Sequence, residues 1–191
     1  MIERLLAAAI AMLAHEMPRA DQRAEVERRS RAVVEACEAA APSDGVMAAL
    51  CVINAHRESR MDPNVCDRER DPDGRPNCDR ACLRNGRIVR DARIAAMCRC
   101  DGCHLGPPRA EGTWQMQRWT LARFGAACGA RTLRDLRDLD AGAYMFVASV
   151  RAWRERTQTW EAAMSSHMVG HLRAAGRKGT ARVRWARRWA P

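Results

Sequence analysis

The chain is predicted to be mainly α-helical with one loop-dominated insertion, and three observations carry the prediction. Ala and Arg abound, β-branched residues are sparse, and there are only 1 Tyr and 2 Phe, a composition that favours helix over strand. Apolar residues recur at helical spacing through Gly45–Met61 and again through Leu139–Trp153. Between these runs, residues 64–110 gather six cysteines among Pro and Gly turn signals and hold little apolar material. A length of 191 residues suits one domain with a core of its own.

Residues 1–19 admit two readings. Leu5–Ala14, preceded by Arg4, has the length of a signal-peptide apolar segment, although His15, Glu16, Met17 and Pro18 stand where a small-residue cleavage site belongs. Ile2, Leu5, Leu6, Ala9, Ile10 and Leu13 equally fit one face of an amphipathic helix packed on the domain. The run is too short to span a membrane. The rest, 20–191, reads as a single domain with the insertion set into it at about 64–110. Its first helix, Ala20–Ala41, is charged on most faces, with Val26, Val33, Val34 and Cys37 as a thin apolar stripe. Ala41-Pro-Ser-Asp-Gly45 ends it.

The stretch Gly45–Pro63 organises the chain. Ser43 and Asp44 are suited to cap a helix start. Val46, Leu50 and Ile53, widened by Met47, Ala49 and Val52, give that helix a broad apolar face. Pro63 disfavours helical geometry at Asp62, so the helix is expected to stop just past Glu58. A carboxyl at the end of an apolar segment is a candidate general acid, because desolvation favours its neutral form.

The insertion leaves two accounts open. Cys66, Cys78, Cys82, Cys98, Cys100 and Cys103 are enough for three disulfides, which stabilise a segment that lacks a core. Alternatively, Cys98, Cys100, Cys103 and His104, with Cys78 or Cys82, set thiolates and an imidazole around zinc. The spacing is not a pair of Cys-x-x-Cys knuckles. The total of 9 Cys favours disulfides and an oxidising, extracytoplasmic compartment, periplasmic or secreted, and leaves one thiol over. No metal or other cofactor is then required.

Beyond the insertion, Gly112–Gln117 is predicted as a turn leading into a short helix that runs through Leu121, Ala122 and Phe124 to Gly125. Cys128 follows in a loop, a disulfide partner for Cys37 or Cys51. Thr132-Leu-Arg-Asp135 has the form of a capping signal. The next helix places Leu139, Ala143, Phe146, Val150 and Trp153 on one face and is expected to be the central core helix. Gly176–Thr180 reads as a turn with a Thr cap, followed by a terminal helix, Ala181–Ala190, that carries Trp185 and Trp189 among Arg182, Arg184, Arg187 and Arg188.

Two of these segments carry a family likeness. Glu58-Ser-Arg-Met-Asp-Pro63 resembles the Glu-Ser-x-x-(Asn/Asp)-Pro motif of the lytic transglycosylases, within the goose-type-lysozyme-like superfamily. Gly112-Thr-Trp-Gln-Met116 resembles their Gly-Leu-Met-Gln-(hydrophobic) motif. Asp140-Ala-Gly-Ala-Tyr144-Met145 is similar to the later Asn-Ile-x-x-Gly-x-x-Tyr-Leu segment without its Asn. Trp160–Gly170 stands where the family has Ala-x-x-Tyr-Asn-x-Gly, with His167-Met168 replacing the Tyr-Asn pair.

The resemblance implies a lysozyme-like helical domain that carries the Cys-rich insertion. It implies cleavage of the β-1,4 bond between N-acetylmuramic acid and N-acetylglucosamine, with Glu58 as sole acid and base and a 1,6-anhydro product. It also implies glycan contacts from Ser59, Gly112, Trp114, Gln115, Met116, Tyr144 and His167, with Gly112 letting backbone approach a sugar. A muramidase of the same fold and a non-catalytic wall-binding protein are the alternatives, the second suggested by the altered Tyr-Asn pair. The net charge of +10 independently implies an anionic partner, either wall polymer or a membrane surface. Nucleic acid is set aside because the basic residues are spread along the chain and do not account for the two motifs. The expected partner is therefore peptidoglycan, met by a monomer.

Overall fold

The computed structural model describes residues 2–63 and 110–190, together with two short strands, 83–84 and 87–88. The six insertion cysteines and His104 lie outside the described residues, as do both accounts of them. Helix α1 (Ile2–Glu16) buries Leu5, Leu6, Ala8, Ala9 and Leu13 against the domain. A 3-10 turn (Ala20–Gln22) leads into α2 (Arg23–Ala40), whose buried face is Val26, Val33, Val34 and Cys37 with Ser30 and Ala36. Then follow α3 (Gly45–Ser59) and the paired strands β1 (Leu83–Arg84) and β2 (Arg87–Ile88). A second antiparallel pair, β3 (Ala110–Glu111) and β4 (Met116–Gln117), precedes α4 (Arg118–Phe124). Helices α5 (Leu139–Thr157), α6 (Trp160–Val169) and α7 (Arg177–Trp189) complete the fold.

The chain is thus mainly helical, and its centre is α3. Eleven of its fifteen residues are buried, because α1, α2, α5 and α7 all pack on it. The expectation that α5 is the central helix is corrected by this: α5 buries one face, including Phe146, Val150 and Trp153, and exposes the other. A helix apolar all round belongs in a core, whereas a one-sided helix lines it.

Asp44 caps α3 by accepting from the Met47 N–H at 3.0 Å. The helix stops where predicted but not chiefly through Pro63. Arg60 and Met61 both take the left-handed conformation (φ 56° and 60°), and their N–H groups return to the carbonyls of His56 and Ala55.

Two further expectations are corrected. The expected turn and the short helix ending at Gly125 are present, but the turn closes a β-hairpin, because Ala110 pairs with Gln117 and Glu111 with Met116. The terminal helix begins at Arg177, with Gly176 rather than Thr180 at its N-cap.

Cys37 and Cys51 form a disulfide between α2 and α3, with Cα atoms 5.7 Å apart. Cys128 has no disulfide partner among the described residues and lies 3.4 Å from the Gly125 carbonyl; both expected partners are bonded to each other. The bond closes a loop with a sequence separation of 14. Reduction, or Cys37→Ala with Cys51→Ala, is expected to cost about 3 kcal/mol, the loop-closure value for that length. Thermal melts with and without reductant measure it.

Candidate active-site cleft

A cleft of about 450 Å³ opens at the C-terminal end of α3. Asn54, Arg57 and Glu58 from α3 form one wall. The hairpin turn, β4 and α4 contribute Trp114, Gln115, Met116, Gln117, Trp119 and Thr120. His167 and Met168 come from α6, and Lys178 and Arg182 from α7. Segments far apart in sequence therefore converge on Glu58.

Glu58 is about one-third exposed and bound to Arg182, whose Nη2 donates to Oε1 at 2.7 Å. The other guanidinium nitrogen, Nη1, donates to Oδ1 of the buried Asn54. Asn54 lies one helical turn before Glu58, so one face of α3 holds both acceptors and fixes the arginine between them. Glu58 Oε2 accepts no hydrogen bond among the described residues. The apolar surround expected for Glu58 is corrected: its nearest partner is a cation.

His167 is buried between this group and the core. Nδ1 lies 2.9 Å from the Ser149 hydroxyl, and the ring stands edge-on to Phe146 at 5.0 Å. Burial, and next the Arg182 charge, push its pKa down to about 3, so the imidazole is neutral. His56, also buried, is lowered by burial against the opposing pull of Glu16. In both cases the unfolded chain takes the proton first. Their contribution to stability is therefore complete above the ordinary histidine value of 6.5 and is lost as pH falls toward the lowered values. Unfolding free energy is expected to decline below that point by up to about 1.4 kcal/mol per pH unit for each group. His167→Gln should flatten the profile, and denaturant melts across the acid range are the measurement.

Several residues expected to touch a ligand are structural. Ser59 is buried; its hydroxyl lies 2.7 Å from the Thr113 carbonyl and accepts from the Asp62 N–H at 3.2 Å. It ties the two motif segments together instead of facing the cleft. Gly112 (φ 80°) is needed for a close approach, but the approaching group is the Leu136 carbonyl, which a Cβ there would strike. Trp114 is 2 % exposed, and its Nε1 donates to the Cys51 carbonyl at 2.9 Å, so only an edge reaches the cleft from the core. Met116 is likewise buried while bordering the cleft. Tyr144 is 45 % exposed on α5 and is not among the cleft residues.

Gln115 does reach the cleft, held at φ 49° with Nε2 donating to the Gly112 carbonyl at 2.8 Å. Trp119 joins it, edge-on to Trp153 at 6.4 Å, with Nε1 donating to Gln117 Oε1. Sequence reasoning missed Asn54, Arg57, Lys178 and Arg182. The four-residue step from Asn54 to Glu58 was a usable signal, whereas nothing local to α7 marks Arg182 or Lys178.

No family model, no curated protein and no solved structure matches the chain.

Proposed function

We propose that the chain is a lytic transglycosylase of lysozyme-like fold that cleaves peptidoglycan glycan strands with Glu58 as its single acid and base. The observation that carries this is the convergence on one cleft of Glu58, at the end of the buried helix, with Gln115 of the second motif. Ser59 and Thr113 join the two segments directly, which gives the motif serine a physical purpose.

In the proposed reaction Glu58 protonates the leaving glycosidic oxygen. The resulting carboxylate takes the proton of the muramyl C6 hydroxyl, whose oxygen attacks C1, and the product is a 1,6-anhydro end formed without water. Oε2, which accepts no hydrogen bond among the described residues, is the oxygen that carries the proton in this reading. Because Oε1 is paired with Arg182, proton donation requires that pair to loosen as substrate enters. Asn54 and neutral His167 give the cleft polar groups that need no charge change.

The choice of transglycosylase over hydrolase follows the family resemblance, and the carboxylates of the described residues agree with it. A hydrolase of the usual kind needs a second acid to hold water or to attack. Glu58 is the only acid lining the cleft among the described residues; Asp62 is turned to Arg29 at 3.2 Å. Mass spectrometry of soluble products from purified peptidoglycan tests the proposal. Anhydro-muropeptides support it, reducing-end products replace it with a muramidase, and no products leave a binding protein with Glu58 locked by Arg182.

A further inference from the structure

We propose that the cleft continues into a cationic track, built from Arg173, Arg177 and Lys178, that grips carboxylates carried at intervals along the glycan. This deepens the glycan reading above and rests on it for the identity of the strand. A second cavity, of about 440 Å³, is lined by Ser165, Met168, Val169, Arg173, Gly176, Arg177, Lys178 and Gly179. It shares Met168 and Lys178 with the first, so the two adjoin. Its lining holds three cations and no acid. Across both cavities the described lining holds five cationic side chains, Arg57, Arg173, Arg177, Lys178 and Arg182, and one carboxylate, Glu58. Among the described residues only Arg182 of these five makes an ion pair. The nearby acid Glu161 is taken by Arg187 at 2.8 Å.

The cations are presented on an anchored backbone. Buried Ser166 accepts from the Arg173 N–H at 2.9 Å and its hydroxyl lies 3.2 Å from the Arg173 carbonyl. Buried Ser165 accepts from the Gly176 N–H at 2.8 Å and donates to the Glu161 carbonyl at 2.7 Å. Gly179 lets α7 lie close on α6, because a Cβ there would strike the Ser165 hydroxyl and come within 2.9 Å of the Glu161 carbonyl. Like charges held together repel, and a bound anion relieves that repulsion.

The first cavity decides the kind of anion. Its only carboxylate among the described residues, Glu58, is paired with Arg182, while Asn54, Gln115, Gln117 and Trp119 offer amides and an aromatic face suited to neutral sugar. A neutral-sugar subsite beside a cationic one suits a strand whose charge is intermittent, as it is when peptide stems with free carboxylates hang from alternate sugars.

The test is co-sedimentation of the full chain with intact peptidoglycan and with the same material stripped of its peptide stems. The wild type should bind the intact wall about tenfold more tightly, the scale of a few exposed charge contacts, with the preference shrinking as salt rises. Arg173→Glu with Arg177→Glu should erase that preference, and Arg173→Lys with Arg177→Lys should keep it, both at an unchanged melting temperature. Equal binding to intact and stripped wall, or loss of the preference in the lysine variant, overturns the proposal. Tighter binding to duplex DNA or to anionic phospholipid vesicles than to intact wall overturns the assigned occupant. The readout is retention, not turnover, so the track stands or falls even if no glycan is cleaved. Conversely, cleavage without a carboxylate preference removes the track and leaves the proposed reaction.

Discussion

Glu58→Gln is expected to lower the rate of anhydro-muropeptide release by roughly a thousandfold, the usual scale for removing a positioned proton donor and acceptor. The amide matches the carboxylate in shape, and its carbonyl oxygen can still accept from Arg182, so the fold should persist. The change does leave a mostly buried guanidinium, 11 % exposed, facing neutral acceptors only. That is expected to cost on the order of 1 kcal/mol, the difference between a charged and a neutral hydrogen bond. Product quantification beside a denaturant melt separates the two effects. Retention of more than about a tenth of the wild-type rate by a folded variant would exclude Glu58 as the acid, since such a group supplies far more.

Trp114→Ala should have the largest effect on stability, a loss of about 3–5 kcal/mol, as for other large aromatic residues cut to Ala in a core. The indole fills the space between α3 and α5. Gly142 on α5 presses so closely on its ring that a Cβ there would lie 2.8 Å from it. The Nε1 bond to the Cys51 carbonyl links the ring to the disulfide-bearing turn of α3. Trp114→Phe keeps much of the packing but leaves that carbonyl without its donor, and should cost less than the Ala change. If Trp114 were a sugar platform, Ala would weaken glycan binding while sparing the melting temperature, and that result would remove the core assignment. The same pair of measurements on Trp119→Ala should show the opposite balance, because Trp119 is only partly covered and borders the cleft.

Local chemistry was sufficient for much of the helical part of the chain. Asp44 capping α3, the stop after Glu58 and the Thr132–Asp135 capping box, here on a 3-10 turn (Leu133–Arg137), depend on groups within a few residues of each other. Such signals are read directly, since the interacting atoms are neighbours in sequence. The hairpin after the insertion was missed because each of its strands is two residues long, too short for an alternating pattern to show. The start of the terminal helix is hidden in the sequence because Gly179 has the form of a turn residue. Its actual use, close packing of α7 on α6 beside Ser165, is invisible until both helices are placed.

The sequence by itself determined that the chain is mainly helical, where most helices begin and end, and that Glu58 stands at the end of an apolar helix beside a Glu-Ser motif. Tertiary structure alone decided what surrounds that carboxylate. Arg182 reaches Glu58 and Asn54 across more than a hundred residues, Lys178 borders two cavities at once, and Ser59 spends its hydroxyl on Thr113 rather than on a ligand. The physical reason is range. Capping and periodicity act over one or two turns of backbone, whereas the charge and burial of a site are set by helices that only packing brings side by side.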